Sequence, residues 1–104
     1  MGIQNISANQ FSKLAVDQFI LDVRTKDEFD EGHIKDAVLI PFDELSDNTH
    51  YLPTDKSKPI FVYCHLGGRS MHGCLTLSKM GYSTIYNLDG GINSWIYSGL
   101  NLVR

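Results

Sequence analysis

The chain has 104 residues, of which 42% are hydrophobic and 20% are charged, and its formal net charge is −3. This size predicts a single domain over residues 1–104, and the composition is typical of a folded globular protein rather than a disordered or membrane-spanning one. Nine basic residues are outnumbered by twelve acidic ones, and they form no cluster, which argues against a nucleic-acid partner. The first residues carry neither a positive nor an apolar leader segment, so we expect a cytoplasmic location and no membrane partner.

The first half of the chain predicts short helices that alternate with apolar strands. Ser7 and Gln10 have the spacing of a capping box, and so do Thr25 and Glu28, so each pair marks a helix start. Short apolar runs that contain β-branched and aromatic residues predict the strands. The predicted elements are a helix through residue 14, a strand over 19–23, a helix ended by Gly32, and a strand over 38–40 stopped by Pro41.

The second half continues the alternation after a polar stretch. The predicted elements are a helical turn over 42–46, a loop over 47–58, a strand over 60–63, a helix over 70–80, a strand over 85–88 and a helix over 91–98. Strands that alternate with helices indicate an α/β fold with a mostly parallel central sheet and helices on both faces. In such sheets ligands bind beyond the carboxyl ends of the strands, which is where Cys64 is expected to lie.

The segment from Cys64 to Arg69 places a cysteine on a turn between a predicted strand and a predicted helix. Backbone N–H groups at a helix start have no intrahelical partner and carry partial positive charge, which stabilises an anion. Gly67 and Gly68 permit the positive φ values that would fold such N–H groups around one point, and Arg69 adds a fixed cation. We therefore expect Cys64 to ionise to a reactive thiolate more readily than a free cysteine does.

Three motifs in this order resemble the rhodanese-like sulfurtransferases. The loop has the pattern of that family, in which four residues separate a cysteine from an arginine that a serine follows. The amino-terminal signature is matched by Leu21-Asp22-Val23-Arg24, Glu28-Phe29, Gly32-His33-Ile34, Ala37 and Ile40-Pro41, and the carboxy-terminal one by Gly81-Tyr82, Leu88-Asp89-Gly90-Gly91-Ile92, Trp95 and Gly99. The resemblance spans residues 6–103 and implies a three-layer rhodanese-like fold.

The resemblance also implies sulfur transfer through Cys64. In this chemistry a thiolate attacks the outer sulfur of thiosulfate or of a persulfide, becomes a persulfide itself, and passes the sulfur to a thiol or to cyanide. The implied partners are a small-molecule sulfur donor, or a protein persulfide, and a thiol acceptor, and no cofactor is implied. The implied donor-binding loop is formed by His65, Leu66, Gly67, Gly68 and Arg69.

The charged residues near the loop are expected to have two roles, which are binding of the sulfur donor and structural support of the loop. Arg69 is the only loop residue that is always cationic, so a doubly negative donor such as thiosulfate would be held weakly. The alternative for Arg69 is a structural ion pair with a carboxylate at the end of the sheet. The resemblance implies that Asp22, Arg24 and Ser70 support the loop, and a buried charge pair is more often structural than reactive. His33 is expected to be a hydrogen-bonded structural residue.

The second cysteine, Cys74, falls on the helix after the loop. Its predicted helical face is shared with Met71, Leu75 and Ser78. A buried free thiol is the expected role of Cys74, because free cysteine is among the most buried residue types, and a disulfide with Cys64 is the alternative. The two cysteines, His65 and His72 lack the short paired spacing of zinc ligands, so no metal is expected.

Two other functions stay open. A domain of this fold can act as a non-enzymatic sulfur carrier or as a regulatory docking module, because fold alone does not determine function. Related loops with five residues between cysteine and arginine bind phosphate or arsenate, and the four residues here imply a tighter pocket. A phosphatase or arsenate reductase is the less favoured alternative, since no general acid for a leaving group can be identified in the sequence.

Overall fold

The computed structural model describes residues 2–104, within which five strands and four α-helices alternate along most of the chain. The strands are β1 (Gly2–Ile6), β2 (Phe19–Asp22), β3 (Val38–Leu39), β4 (Ile60–Tyr63) and β5 (Thr84–Leu88). The helices are α1 (Ala8–Leu14), α2 (Lys26–Glu31), α3 (Gly68–Lys79) and α4 (Gly91–Tyr97). Two short 3-10 helices, Phe42–Asp47 and Thr49–Tyr51, occupy part of the polar stretch before β4. Within the described chain, no helix is long and apolar enough to cross a bilayer.

The strands form one parallel sheet in the order β1-β5-β4-β2-β3. Alternate residues of the central strand β4 enter two separate hydrophobic clusters, because successive side chains of a strand point to opposite faces. Val62 joins Leu77 of α3 in one cluster, whereas Phe61 joins Phe11 of α1 and Trp95 of α4 in the other. Both faces of the sheet are therefore covered, and the predicted α/β class is confirmed.

Both predicted capping boxes are present. The Ser7 hydroxyl accepts from the N–H of Gln10, whose side chain accepts from the N–H of Ser7. Thr25 and Glu28 make the same reciprocal pair at the start of α2. These contacts are local, which is why the sequence pattern was sufficient to locate both helix starts.

Strand β1 was not predicted from the sequence. It pairs with β5 alone at the edge of the sheet, and its residues Gln4 and Asn5 are exposed. An edge strand with polar residues lacks the continuous apolar run that identified the buried strands. Its place in the sheet comes from pairing with a strand near the other end of the chain.

Helix α3 differs from its prediction in its start and in its buried face. It begins at Gly68, so Arg69 belongs to its first turn. Its buried residues are Ser70, Gly73, Cys74 and Leu77. The predicted face was right for Cys74 and for Met71, which packs against the same cluster, but wrong for Leu75, which is 52% exposed. A glycine and a serine are not counted as apolar in a periodicity, although Gly73 faces the sheet, where an added Cβ would be in ordinary van der Waals contact with Val23 at 3.4 Å.

Candidate functional site

Cys64 lies directly after β4, at the carboxyl edge of the sheet, and its side chain is 1% exposed. The N–H of Gly67 donates a hydrogen bond to the Cys64 Sγ at 3.0 Å. The thiol donates to the Ser70 Oγ at 3.3 Å, and this hydroxyl donates to the Gly67 carbonyl at 3.0 Å. Ser70, predicted as a supporting residue, therefore touches the sulfur itself.

Gly67 gives the loop its curvature. Its φ is +128°, a value that residues with a Cβ rarely adopt, and this conformation directs its N–H towards the sulfur. Gly68 does not share this role, since it is the first residue of α3 and is not among the residues with positive φ. The expectation that both glycines provide positive φ was therefore wrong for Gly68.

The amino terminus of α4 contacts the Cys64 loop through two backbone hydrogen bonds. The N–H of Ile92 donates to the Cys64 carbonyl at 2.8 Å, and the N–H of Asn93 donates to the His65 carbonyl at 3.3 Å. Gly91 makes this approach possible, because a Cβ at that position would lie 2.4 Å from the His65 carbonyl oxygen. No role at the site was predicted for these residues from the sequence, although Gly91 is part of the carboxy-terminal signature and adjacent glycines often mark a close backbone approach.

Arg69 forms a two-pronged ion pair with Glu28 of α2. The two guanidinium nitrogens donate to the two carboxylate oxygens at 2.6 and 2.8 Å. The hydrogen bonds from Arg69 hold the pKa of Glu28 at about 2, well below its ordinary value. An ion pair of Arg69 was one of the sequence-based alternatives, but its predicted place was wrong, because the carboxylate comes from a helix and not from the end of the sheet.

Asp22 and Arg24 form a second ion pair at the end of β2, and this pair is almost fully buried. Arg24 Nη2 donates to Asp22 Oδ2 at 2.7 Å and to the Gly32 carbonyl at 2.7 Å. The guanidinium also lies 5.5 Å from the ring centre of Tyr63. The pair thus ties β2 and β4 to the end of α2, which agrees with a supporting position. His33 Nδ1 lies 3.0 Å from the Phe29 carbonyl oxygen, as expected for a structural histidine.

The outer surface of the loop borders a shallow cleft. His65 is exposed, and Leu66, next to it, is 66% exposed. The cleft has a volume of about 260 Å³, and its lining includes Glu28, Glu31, His65, Asn93, Ile96 and Leu102. His65 Nδ1 lies 3.9 Å from Glu28 Oε2, so this carboxylate lies between the loop arginine and the loop histidine.

Cys74 is a free thiol in an apolar setting. It belongs to the hydrophobic cluster on the α3 face of the sheet, and its side chain is fully buried. Burial, followed by the nearby Cys64, raises the pKa of Cys74 to about 12. Both cysteines are free, so the alternative of a disulfide is absent from this structure. Within residues 2–104, no three His, Cys, Asp or Glu side chains converge as metal ligands.

Comparison with known sequences identifies relatives along most of the chain. A family model described as Rhodanese-like domain matches residues 6–98. The chain is 41% identical over 76 residues to the uncharacterized protein YqhL of Bacillus subtilis, a match of 73% of this chain and 59% of that protein. It is 34% identical over 87 residues to a sulfurtransferase of Allochromatium vinosum, which covers 84% of this chain and 79% of the relative. It is also 34% identical over 79 residues to the thiosulfate sulfurtransferase GlpE of Coxiella burnetii, covering 76% and 72% of the two chains.

Comparison with solved structures gives the same family. A rhodanese-related protein from Thermoplasma volcanium has a TM-score of 0.86 and 33% identity, over 96% of this chain and 97% of that one. Reduced CoADR-RHD from Bacillus anthracis has a TM-score of 0.85 and 28% identity. In that comparison, 98% of this chain corresponds to 18% of the longer protein.

Proposed function

This chain belongs to the rhodanese-like family, and we propose that it is a sulfurtransferase that carries a sulfur atom on Cys64 as a persulfide. The observation that carries the proposal is the contact between the Cys64 sulfur and the N–H of Gly67 at 3.0 Å, on a loop that leads into α3. A donor amide fixed at this distance stabilises negative charge on sulfur. The sulfurtransferase names of two relatives agree with this chemistry.

The reaction has two half-steps that balance in atoms and charge. The Cys64 thiolate attacks the outer sulfur of a donor, such as thiosulfate or an organic persulfide, so that a new S–S bond forms while the donor's own bond to that sulfur breaks. Sulfite or a thiolate leaves with the electron pair of the broken bond. An acceptor thiolate or cyanide then attacks the outer sulfur of the Cys64 persulfide, and the Cys64 thiolate is released.

The surrounding residues have separate tasks in this proposal. Gly67 and Ser70 contact the sulfur, so they would orient the attacking thiolate and the later persulfide. Cys64 itself is 1% exposed, whereas Leu66 is 66% exposed. Donor and acceptor would therefore reach the sulfur across the outer surface of the loop. Arg69, whose guanidinium is engaged with Glu28, would border this approach.

Intact-protein and peptide mass spectrometry test the proposal. Treatment with thiosulfate, or with an organic persulfide, should add about 32 Da, the mass of one sulfur, to the peptide that contains Cys64. Cyanide or a thiol should then remove the added mass and yield thiocyanate or a new persulfide. Absence of loading with every donor would overturn the proposal. Loading without repeated turnover would instead support the sulfur-carrier alternative.

A further inference from the structure

The charge that the loop presents to a sulfur donor depends on Glu28, a residue outside the loop. Both carboxylate oxygens of Glu28 accept hydrogen bonds from the Arg69 guanidinium, at 2.6 and 2.8 Å. Paired parallel hydrogen bonds of this kind are the strongest that arginine makes with a carboxylate. Arg69 and Glu28 remain 30% and 27% exposed, so the pair lies at the protein surface where a donor would arrive.

The other described arginines close to the cleft are already hydrogen-bonded to neighbouring groups. Arg24 borders the same cleft, but its guanidinium is paired with Asp22 at 2.7 Å. Glu31 contributes a second carboxylate to the cleft lining, and Arg104 contacts the backbone carbonyl of Glu31 at 3.2 Å. A dianion at the loop would therefore have to displace Glu28 from its partner or bind beside an ionised carboxylate. Both routes are unfavourable.

Apolar side chains on the loop and in the neighbouring cleft offer contacts to a donor with an organic group. Leu66 is 66% exposed at the loop surface, and Ile96 is 53% exposed in the cleft lining, together with Leu102. A volume of about 260 Å³ is suitable for a small organic group rather than for a folded partner segment. Apolar surface of this kind stabilises a bound hydrocarbon group, whereas it contributes no binding energy for thiosulfate, which has no such group.

We infer that Glu28 is a specificity-determining residue, which makes this site prefer small organic sulfur donors of low charge, the class of organic persulfides, over dianionic thiosulfate. The inference rests on the proposed sulfur transfer through Cys64. In the preferred reaction, the Cys64 thiolate attacks the outer sulfur of R–S–SH. The S–S bond of the donor breaks, Cys64–S–SH forms, and the organic thiolate leaves with the electron pair.

Three stable donors that carry the same type of transferable sulfur separate the effect of donor charge from the effect of apolar contact. Thiosulfate carries two negative charges, methanethiosulfonate carries one, and benzenethiosulfonate carries one together with an aromatic ring. Each second-order loading rate of Cys64 is divided by the rate of the same donor with a free small thiol, which removes intrinsic reactivity. In the unaltered protein, we expect the normalised rates to rise from thiosulfate to methanethiosulfonate and again to benzenethiosulfonate. A normalised rate for thiosulfate equal to or above the other two would overturn the inference.

Glu28→Gln tests the residue directly. Glutamine can replace glutamate in the capping box with Thr25, so α2 keeps its start while Arg69 loses its charged partner. Asp30→Asn is the matched control, because it removes the same charge from the same helix at an exposed site where Lys26 is the partner. We expect Glu28→Gln to raise the ratio of thiosulfate to methanethiosulfonate loading by roughly tenfold, and Asp30→Asn to leave the ratio nearly unchanged.

The possible results separate this inference from the proposed function. Thiosulfate loading in Glu28→Gln should also become strongly salt-dependent, because a freed cation attracts a dianion through screened charge. An equal loss with all donors would make Glu28 a purely structural residue, and an equal change in both variants would make the effect one of net charge. Either result overturns the inference while sulfur transfer stands. Failure of all three donors, and of an organic persulfide, to load the unaltered protein would overturn the proposed function instead.

Discussion

Cys64 and Cys74 are chemically identical and almost equally buried, and they belong to the same hydrophobic cluster. Their polar surroundings differ. The Cys64 sulfur contacts the N–H of Gly67 and the hydroxyl of Ser70, whereas burial raises the pKa of Cys74 to about 12. Burial therefore does not distinguish the two thiols. Their polar contacts do, and an N–H donor beside the sulfur stabilises negative charge on it, which is why Cys64 is the proposed nucleophile.

The largest effect is expected when each of the two cysteines is substituted in turn. Cys64→Ser should abolish sulfur transfer, because a hydroxyl cannot form a persulfide. Cys74→Ala should keep turnover within about twofold of the unaltered protein, since it removes only a packed side chain. Steady-state thiocyanate formation from several donors measures both. Comparable loss in the two variants would indicate a relay between the cysteines and would contradict a purely structural role of Cys74.

A smaller but still large effect is expected at Gly91, which brings α4 against the Cys64 loop. Gly91→Ala places a Cβ about 2.4 Å from the His65 carbonyl oxygen at a φ of +62°, so the loop or the helix must move. We expect the free energy of unfolding to fall by roughly 2–4 kcal/mol, with slower loading of Cys64 in the folded protein. Chemical denaturation and mass spectrometry measure the two quantities.

Gly99→Ala is the control for this change. Gly99 has a φ of +80°, and nothing lies within 4 Å of an added Cβ, so the variant has the conformational cost without the overlap. We expect the free energy of unfolding to fall by about 1 kcal/mol and the loading of Cys64 to be unchanged. Equal effects of the two alanines would show that the contact of α4 with the loop is unimportant.

A smaller effect is expected in the pH dependence of stability that Cys74 contributes. Its pKa is raised from 9.0 to about 12 in the folded protein, so the folded state keeps a proton that the unfolded state loses. This contribution to stability is complete below pH 9 and declines as the pH rises towards 12. In a Cys64→Ser background, the advantage of Cys74 over Cys74→Ala should shrink by about 1 kcal/mol between pH 7 and pH 10. A difference independent of pH would mean that solvent reaches the Cys74 thiol in the folded state.

Acidic pH gives no comparable test of Cys74, but it tests the ion pair between Glu28 and Arg69 beside Cys64. Because the pKa of Glu28 is about 2, its carboxylate should become protonated only at a lower pH than that of a free glutamate. The contribution of the pair to stability is present above the ordinary pKa and is lost as the pH falls through about 2. Its size should be about 1 kcal/mol, as for other partly exposed pairs. Denaturation of Glu28→Gln and the unaltered protein at pH 7 and pH 2 measures it.

Sequence patterns were sufficient to predict those features that depend on neighbours along the chain. The capping boxes at Ser7 and Thr25 and the apolar runs of β2 and β4 are local signals, and together they indicated the α/β class and the position of Cys64 at the carboxyl end of a strand. The motif order added the family resemblance. Hydrogen bonds within three or four residues and burial of a continuous apolar run need no knowledge of the rest of the fold.

Tertiary structure alone decided the contacts between distant segments. Glu28 reaches Arg69 across the carboxyl edge of the sheet, and Gly91 brings the start of α4 against the Cys64 loop. β1 gains its place by pairing with β5, and α3 turns Gly73 rather than Leu75 towards the sheet. Each of these depends on the separation of two backbones or on the partner of a charge. A single-sequence pattern contains neither quantity, because both arise only when the helices pack on the completed sheet.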